Sequence, residues 1–338
     1  MLTIAVPEWL TKEFNYTQGQ YLTLRANIDG EEQRRSYSIC SAVQDKELKV
    51  AIKRVSGGKF SNWANNLLKP GMTIDVMPPT GNFNVPVAAD QSHHYLGFAA
   101  GSGITPLLSI AKTTLLTEKN SQFTLVYSNR TLADMMFREE LAELKDAFIS
   151  RFNVIYLFSR EPQEIELFNG RLTTEKCEQL FQYWLPVSEI NYAFICGPAP
   201  MIEAVSNALN SHGITKEKIK QEYFASPSTS TVSAVATASD SPEAHYSLSL
   251  IIDGATRTLS PPKDGQTILD AALNAGIDVR YACKGGVCAT CRCRVVKGEV
   301  EMTDNYALDE EDISEGLVLS CRSVPISDQI ILNFDQIN

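Results

Sequence analysis

Positive charge is in short supply in this 338-residue chain: 30 Lys and Arg face 40 Asp and Glu, a formal net charge of −10. Nucleic-acid-binding surfaces rest on an excess of cations, so that class is excluded as the primary role. Partners are expected among basic protein faces and small molecules. Long apolar runs are missing as well: no stretch approaches the ~20 residues that cross a bilayer, and the opening MLTIAVPEWLTKEF lacks the basic start of a signal peptide. The expectation is a cytoplasmic protein with no membrane span. No internal repeat is present, and 44% hydrophobic with 21% charged residues excludes wholesale disorder, collagen and coiled coil.

Cysteine, by contrast, is concentrated. Of eight cysteines, Cys283, Cys288, Cys291 and Cys293 crowd into one short stretch. In a large chain without an export signal this reads as a metal or cluster site rather than a disulfide framework. Cys283-x4-Cys288-x2-Cys291, with Cys321 following after a longer gap, has the plant-type [2Fe–2S] spacing. Gly285 and Gly286 permit loop conformations that turn backbone N–H groups toward sulfur. The absence of histidine from this loop argues against a Rieske centre. A structural zinc site of four cysteines is the alternative, although zinc ribbons prefer paired C-x2-C knuckles. Cys293 is left over and is expected to be a small buried strand residue.

Composition marks out three domains and a tether. Residues 1–90 alternate as strands (LTIAV, YLTLRANI, RSYSI, LKVAIKRV, TIDVM), which suggests a small antiparallel barrel. Residues 91–224 change to a strand–helix rhythm: HYLGFAA, TPLLSIAKTTLL, FTLVYS, ADMMFREELAELKDAF, NVIYLF, YAFIC and PMIEAVSNALNSHG. That rhythm belongs to a parallel α/β sheet. Residues 225–245, rich in Ser, Thr, Ala and Pro, read as a flexible linker with a reach of roughly 25 Å. Residues 246–338 form a last unit with 8 basic and 14 acidic residues, including the run Asp309 to Asp312.

The cysteine stretch YACKGGVCATCRCRVVKGEVEM, together with LSCRSVPISDQIILNFD, resembles a plant-type, β-grasp-like ferredoxin domain fused to a reductase. Cys283, Cys288, Cys291 and Cys321 are its expected metal ligands. Upstream, Arg35-Ser36-Tyr37-Ser38-Ile39-Cys40-Ser41 resembles the R-x-Y-S-x-x-S flavin signature of the ferredoxin–NADP reductase superfamily. Tyr37 offers a face to stack on isoalloxazine, Ser38 a hydrogen bond near the reactive flavin nitrogen, and Arg35 a cation for the pyrophosphate, with Ser41 closing the signature. Gly57-Gly58-Lys59-Phe60-Ser61 opens a helix and makes a ready phosphate site. In the superfamily this element, with strand residues matching Ile52 and Lys53, cradles the diphosphate. RSYS alone could be an exposed strand edge, but these elements occur in order and precede Pro79-Thr80-Gly81-Asn82-Phe83.

Gly101-Ser102-Gly103-Ile104-Thr105-Pro106 departs from a dinucleotide fingerprint at Pro106, and the departure resembles the superfamily's G-x-G-x-x-P nucleotide loop. Cys196-Gly197-Pro198-Ala199-Pro200-Met201 is similar to its CGPxPM segment, whose cysteine lies near the hydride-donating carbon of nicotinamide. Glu222-Tyr223-Phe224 resembles its closing segment. The resemblance implies that Phe224 lies by the flavin ring and that Glu222 helps to arrange the hydride path, although an ordinary exposed strand end reads the same way. Strand FTLVY runs into Ser128-Asn129-Arg130 without an acid, and an arginine there suits a 2′-phosphate, so NADPH is expected over NADH.

IDGEEQRRSYSICSA, GGKFSNWA, VMPPTGNF and YACKGGVCATC together resemble the reductase subunits of multicomponent ring-1,2-phenylacetyl-CoA epoxidases. The implied activity is electron transfer from NADPH through FAD and [2Fe–2S] to an oxygenase component, of di-iron type in that family. A reductase for a steroid or aromatic-ring hydroxylase, or a redox-sensing module without turnover, are the alternatives. That family carries a further strand ahead of the stretch matching LTIAVP, so the barrel is expected to start one strand short, with a bare sheet edge.

Overall fold

The computed structural model describes residues 1–224 and 245–336. The chain divides after Phe224 into two units. In the first, β1 (Leu2–Ile4), β2 (Tyr21–Ile28), β3 (Glu31–Ser38), β4 (Leu48–Val50) and β5 (Asp75–Val76) are antiparallel, with helix α1 (Lys59–Asn66) between the last two. Asp29 and Gly30, both at positive φ, make the tight turn joining β2 to β3. β5 pairs with β2 and β1 with β4; the bridge Ile39–Val50 links the two sheets, and the bridge Tyr21–Thr80 continues the β2–β5 edge. Leu22, Leu24, Ile39 and Val50 fill their shared core, and α1 adds Phe60 and Ala64.

The expected strand LKVAIKRV stops at Val50 for a local reason. Asn65 donates to Ile52 O, Asn62 to Val55 O, and the Ser61 hydroxyl accepts from Val55 N–H, so α1 side chains take the hydrogen bonds a neighbouring strand would have taken.

From His94 the expected α/β rhythm holds: β6 (His94–Ala100), α2 (Ile104–Thr117), β7 (Gln122–Asn129), α3 (Arg138–Ala147), β8 (Phe152–Phe158), α4 (Thr174–Tyr183), β9 (Tyr192–Gly197), α5 (Ala199–Ser211) and β10 (Ile219–Tyr223). The strands form one parallel sheet in the order β10-β9-β6-β7-β8. Its central strands bury side chains on both faces, as parallel sheets require. Two departures from expectation stand out. The helix anticipated from Ala133 begins only at Arg138, because Met135 is extended and Phe137 is left-handed (φ 59°). Helix α4, which starts on the Thr173 cap, has no counterpart among the expected elements, while β10 supplies the strand end weighed at Glu222-Tyr223-Phe224.

Helix α2 ties this sheet to the barrel. Ser109 donates to Ser41 O (2.7 Å), Thr113 accepts from Val43 N–H (3.1 Å), and Lys112 pairs with Asp45 (2.8 Å). These bonds fix the angle between the two domains, on which the site below depends.

In the second unit, β11 (Ser247–Ile252), β12 (Ala255–Leu259), α6 (Ile268–Asn274), β13 (Arg292–Lys297), β14 (Val300–Met302), α7 (Glu310–Ser314), β15 (Leu317–Leu319), β16 (Ser323–Pro325) and β17 (Gln329–Asn333) form a mixed sheet, β12-β11-β17-β13-β15, and a separate β14–β16 pair. The sheet grips α6 through Leu248, Leu250, Ile268, Leu269 and Leu332. Of the anticipated linker, residues 225–244 lie outside the described residues, and His245 bridges to Pro262.

Candidate active site and cluster site

Three residues far apart in the chain meet where the barrel touches the parallel sheet. Ser38 ends β3, Cys196 lies near the end of β9, and Glu222 lies on β10 in register with Cys196. The Ser38 hydroxyl donates to Glu222 Oε2 (3.1 Å), and the Cys196 thiol lies 3.9 Å from the same oxygen. Burial pushes the Glu222 carboxyl up to about 8, against the downward pull of the Ser38 and Cys196 hydrogen bonds. Burial first, and then Glu222, hold the Cys196 thiol well above its ordinary range. The cluster can therefore keep or release a proton near neutral pH, beside a thiol that stays neutral.

The glycine loops on either side of the sheet's switch point, between β6 and β9, are in contact. A Cβ on Gly103 would lie 2.1 Å from Cys196 O, and one on Gly197 would lie 2.6 Å from the Met201 methyl. Only glycine permits this approach. Gly101 sits at positive φ, its carbonyl accepts from the Tyr127 hydroxyl (3.0 Å), and Lys53 Nζ of the barrel reaches to 3.8 Å of where its Cβ would be. Thr105 caps its own turn through Ser102 O (2.9 Å), and Pro106 is buried in the first turn of α2.

Tyr37 packs its ring 5.7 Å from that of buried Phe60 and remains part-exposed on β3. Gly58 caps α1, and the N–H groups of Lys59, Phe60 and Ser61 have no acceptor within the helix, as in any first turn. The Lys59 ammonium pairs with Glu31 (2.6 Å), and the Ser61 hydroxyl serves the loop through Val55 N–H. Arg35 is exposed and held by Arg34 O and Gln33.

Ser41 departs from expectation. Its hydroxyl donates to Glu47 O (2.7 Å), accepts from Lys49 N–H (3.2 Å) and meets the Tyr16 hydroxyl (2.9 Å). That is the full capacity of a hydroxyl. Ser41 braces the loop that α2 docks on, and no bond remains for a cofactor.

At the far end of the sheet, Ser128 is buried in β7, while Arg130 is exposed just beyond it. Arg160, which no motif marks, stands beside it: its N–H donates to Arg130 O (2.9 Å). The run Ser159-Arg160, which ends NVIYLF just as Ser128-Asn129-Arg130 ends FTLVY, is the signal that could have found it. Phe224 is 43% exposed and is not gathered into the Ser38–Cys196–Glu222 contact.

In the second unit, Cys288, Cys291 and Cys321 are buried and Cys283 faces outward. Among the described residues no group of three or more His, Cys, Asp or Glu is arranged to hold a metal ion. The four thiols approach one another in a chain, Cys288 to Cys283, Cys283 to Cys321 and Cys321 to Cys291. Hydrogen bonds from the Cys288 and Cys321 thiols, then from the N–H groups of Gly285 and Val287, hold Cys283 far below the ordinary thiol range. Gly285 N–H lies 3.2 Å from its sulfur. Ser320 donates through both N–H (3.1 Å) and hydroxyl (2.9 Å) to Cys291 O, which draws Cys321 to Cys291. Lys284, Gly286 and Ala289 take positive φ to coil the loop. Four sulfur donors under directed N–H groups fit an iron–sulfur centre. Cys293 lies fully buried on β13, away from solvent.

Comparison with known proteins gives three family matches. The oxidoreductase FAD-binding domain matches residues 3–85, the oxidoreductase NAD-binding domain residues 98–207, and the 2Fe-2S iron-sulfur cluster binding domain residues 250–325. The chain is 42% identical over 334 residues to a 1,2-phenylacetyl-CoA epoxidase subunit of Escherichia coli (strain K12), covering 99% of this chain and 93% of that one. It is 36% identical to the ferredoxin reductase component of 3-ketosteroid-9-alpha-monooxygenase of Rhodococcus rhodochrous, covering 98% and 92%. Among solved structures, phthalate dioxygenase reductase shares the fold, with a TM-score of 0.55 at 21% identity over 94% of this chain and 88% of that one.

Proposed function

The chain belongs to the family of oxygenase reductases that join FAD-binding, NAD-binding and [2Fe–2S] domains, and from that premise we propose that it feeds electrons from NADPH to a di-iron, multicomponent phenylacetyl-CoA 1,2-epoxidase. The observation that carries the hydride step is the meeting of Ser38, Cys196 and Glu222. FAD, when bound, accepts the hydride and releases its electrons one at a time.

The chain's own residues position and exclude. Tyr37 presents its ring to the isoalloxazine, Ser38 holds the reactive edge, and Arg35, Lys53 and the first turn of α1, from Gly58 through Ser61, bind the pyrophosphate beside Ile52. Gly101, Gly103, Thr105, Pro106, Gly197 and Met201 shape the nicotinamide pocket, where Cys196 stays neutral and Glu222 keeps or yields a proton at Oε2. Phe224, just beyond β10, would lie by the flavin ring when FAD is bound. Ser128, Arg130 and Arg160 take the 2′-phosphate, which favours NADPH. Cys283, Cys288, Cys291 and Cys321 would together hold the two irons of the cluster.

A cytoplasmic setting suits eight cysteines with no disulfide between them and an NADPH supply. No helix among the described residues is long and apolar enough to cross a membrane.

Reconstitution tests the assignment. The purified chain, NADPH and the oxygenase components should convert phenylacetyl-CoA, while a 3-ketosteroid hydroxylase receives few electrons. Turnover with the steroid system alone would move the chain to the other branch of the family.

A further inference from the structure

Arg322 directly follows the last cysteine of the cluster set, yet only 8% of it is exposed. A buried arginine is rare unless its charge is paired. Its Nη2 lies 2.6 Å from Asp304 Oδ2. The pair is clamped against the cysteine loop: a Cβ on Gly286 would lie 3.0 Å from Asp304 O and 3.2 Å from Arg322 Cγ. Tyr306 N–H donates to Gly286 O (3.0 Å), and the Thr303 N–H and hydroxyl both bind Arg322 O (2.9 and 3.2 Å). Asp304 occupies one side of the guanidinium, while the buried Nε–H makes no hydrogen bond within the protein.

We propose that the Arg322–Asp304 pair sets the reduction potential of the cluster held by Cys283, Cys288, Cys291 and Cys321. Arg322 acts as a positioning residue that also supplies a fixed positive charge, and Asp304 offsets part of that charge. One electron from reduced FAD turns one ferric iron ferrous and adds one negative charge to a centre already surrounded by four thiolates. No proton or leaving group is involved. A cation enclosed beside the loop favours the reduced form and a carboxylate disfavours it, and both act strongly because the surroundings are poor in water. The two partners are therefore expected to pull the potential in opposite directions, whereas a merely structural brace, once loosened from either side, would move it one way.

The test is a redox titration of the full-length holoprotein, followed by the electron paramagnetic resonance signal of the reduced cluster. Arg322→Gln should lower the midpoint potential and Asp304→Asn should raise it, each by about tenfold in the reduction equilibrium, or about 59 mV for one electron. The double variant should fall between them, and Arg322→Lys, which keeps the charge, should lie nearer the unaltered protein. Shifts of the same sign in both single variants, or no shift in either, would overturn the proposal. Should Arg322→Gln fail to retain its cluster, Asp304→Asn and Arg322→Lys decide, since an unmoved potential in Asp304→Asn contradicts it. The proposal rests on the ligand assignment above, and iron and sulfide analysis of the unaltered protein shows separately whether that assignment fails.

Discussion

The two units assemble their chemistry in opposite ways. In the first, Ser38 and Glu222 are separated by 184 positions and meet only because helix α2 locks the barrel against the parallel sheet. In the second, three of the four cysteines lie in one loop whose own backbone conformation presents them, and only Cys321 is brought from a distance. A site built from distant pieces depends on the packing of whole domains, whereas a site built from one loop depends on a few dihedral angles. Damage should therefore stay local in the second unit and act at long range in the first.

The sharpest way to break that contrast is Cys288→Ser. It should remove both irons of the cluster while leaving one FAD per chain, as read by metal analysis and the visible spectrum. A variant that keeps its irons would refute the ligand set. Next in size, Ser38→Ala should slow flavin reduction by NADPH on the order of 10²-fold, the cost of losing one aligned donor, with the cluster signal unchanged. Single-turnover stopped-flow absorbance reads this directly.

These expectations differ in how far the sequence alone supports them. Cysteine spacing is local, so the cluster was legible from the order of residues, and so were the strands from His94 to Gly197, whose apolar runs are buried on both faces. The contact of Ser38 with Glu222 was legible only through resemblance, because no periodicity links residues on different domains. Ser41 looked like a cofactor ligand because its partners Tyr16, Glu47 and Lys49 come from outside the motif. The late start of α3 escaped because a left-handed Phe137 has no compositional mark.

Arg130→Ala sharpens the comparison at the edge of the first unit. KM for NADPH should rise about tenfold, and that for NADH about twofold at most, as expected when one charge-assisted hydrogen bond is lost. Equal effects on both nucleotides would make Arg130 a solvated surface charge.

A further expectation concerns proton binding. Glu222 holds its proton more tightly in the folded chain, titrating at about 8. Its stabilisation is therefore complete below the ordinary carboxylate range, falls as pH rises, and is gone once pH passes about 8. Glu222→Gln carries no such loss. Its melting temperature relative to the unaltered protein should thus improve from about pH 5 to about pH 8 and level off above, and a constant difference throughout would mean that the carboxyl titrates normally.

The central claim is a division of labour: the first unit receives the electron pair and the second delivers single electrons. It is tested most directly by ending the chain after Phe224 and measuring two activities of the same preparation. The account predicts that NADPH-dependent ferricyanide reduction survives largely intact, because hydride transfer to FAD uses only the first unit, while substrate oxygenation with the oxygenase components stops. Full-rate oxygenation by the shortened chain, with no ferredoxin added, would make the flavin the direct donor and contradict the account.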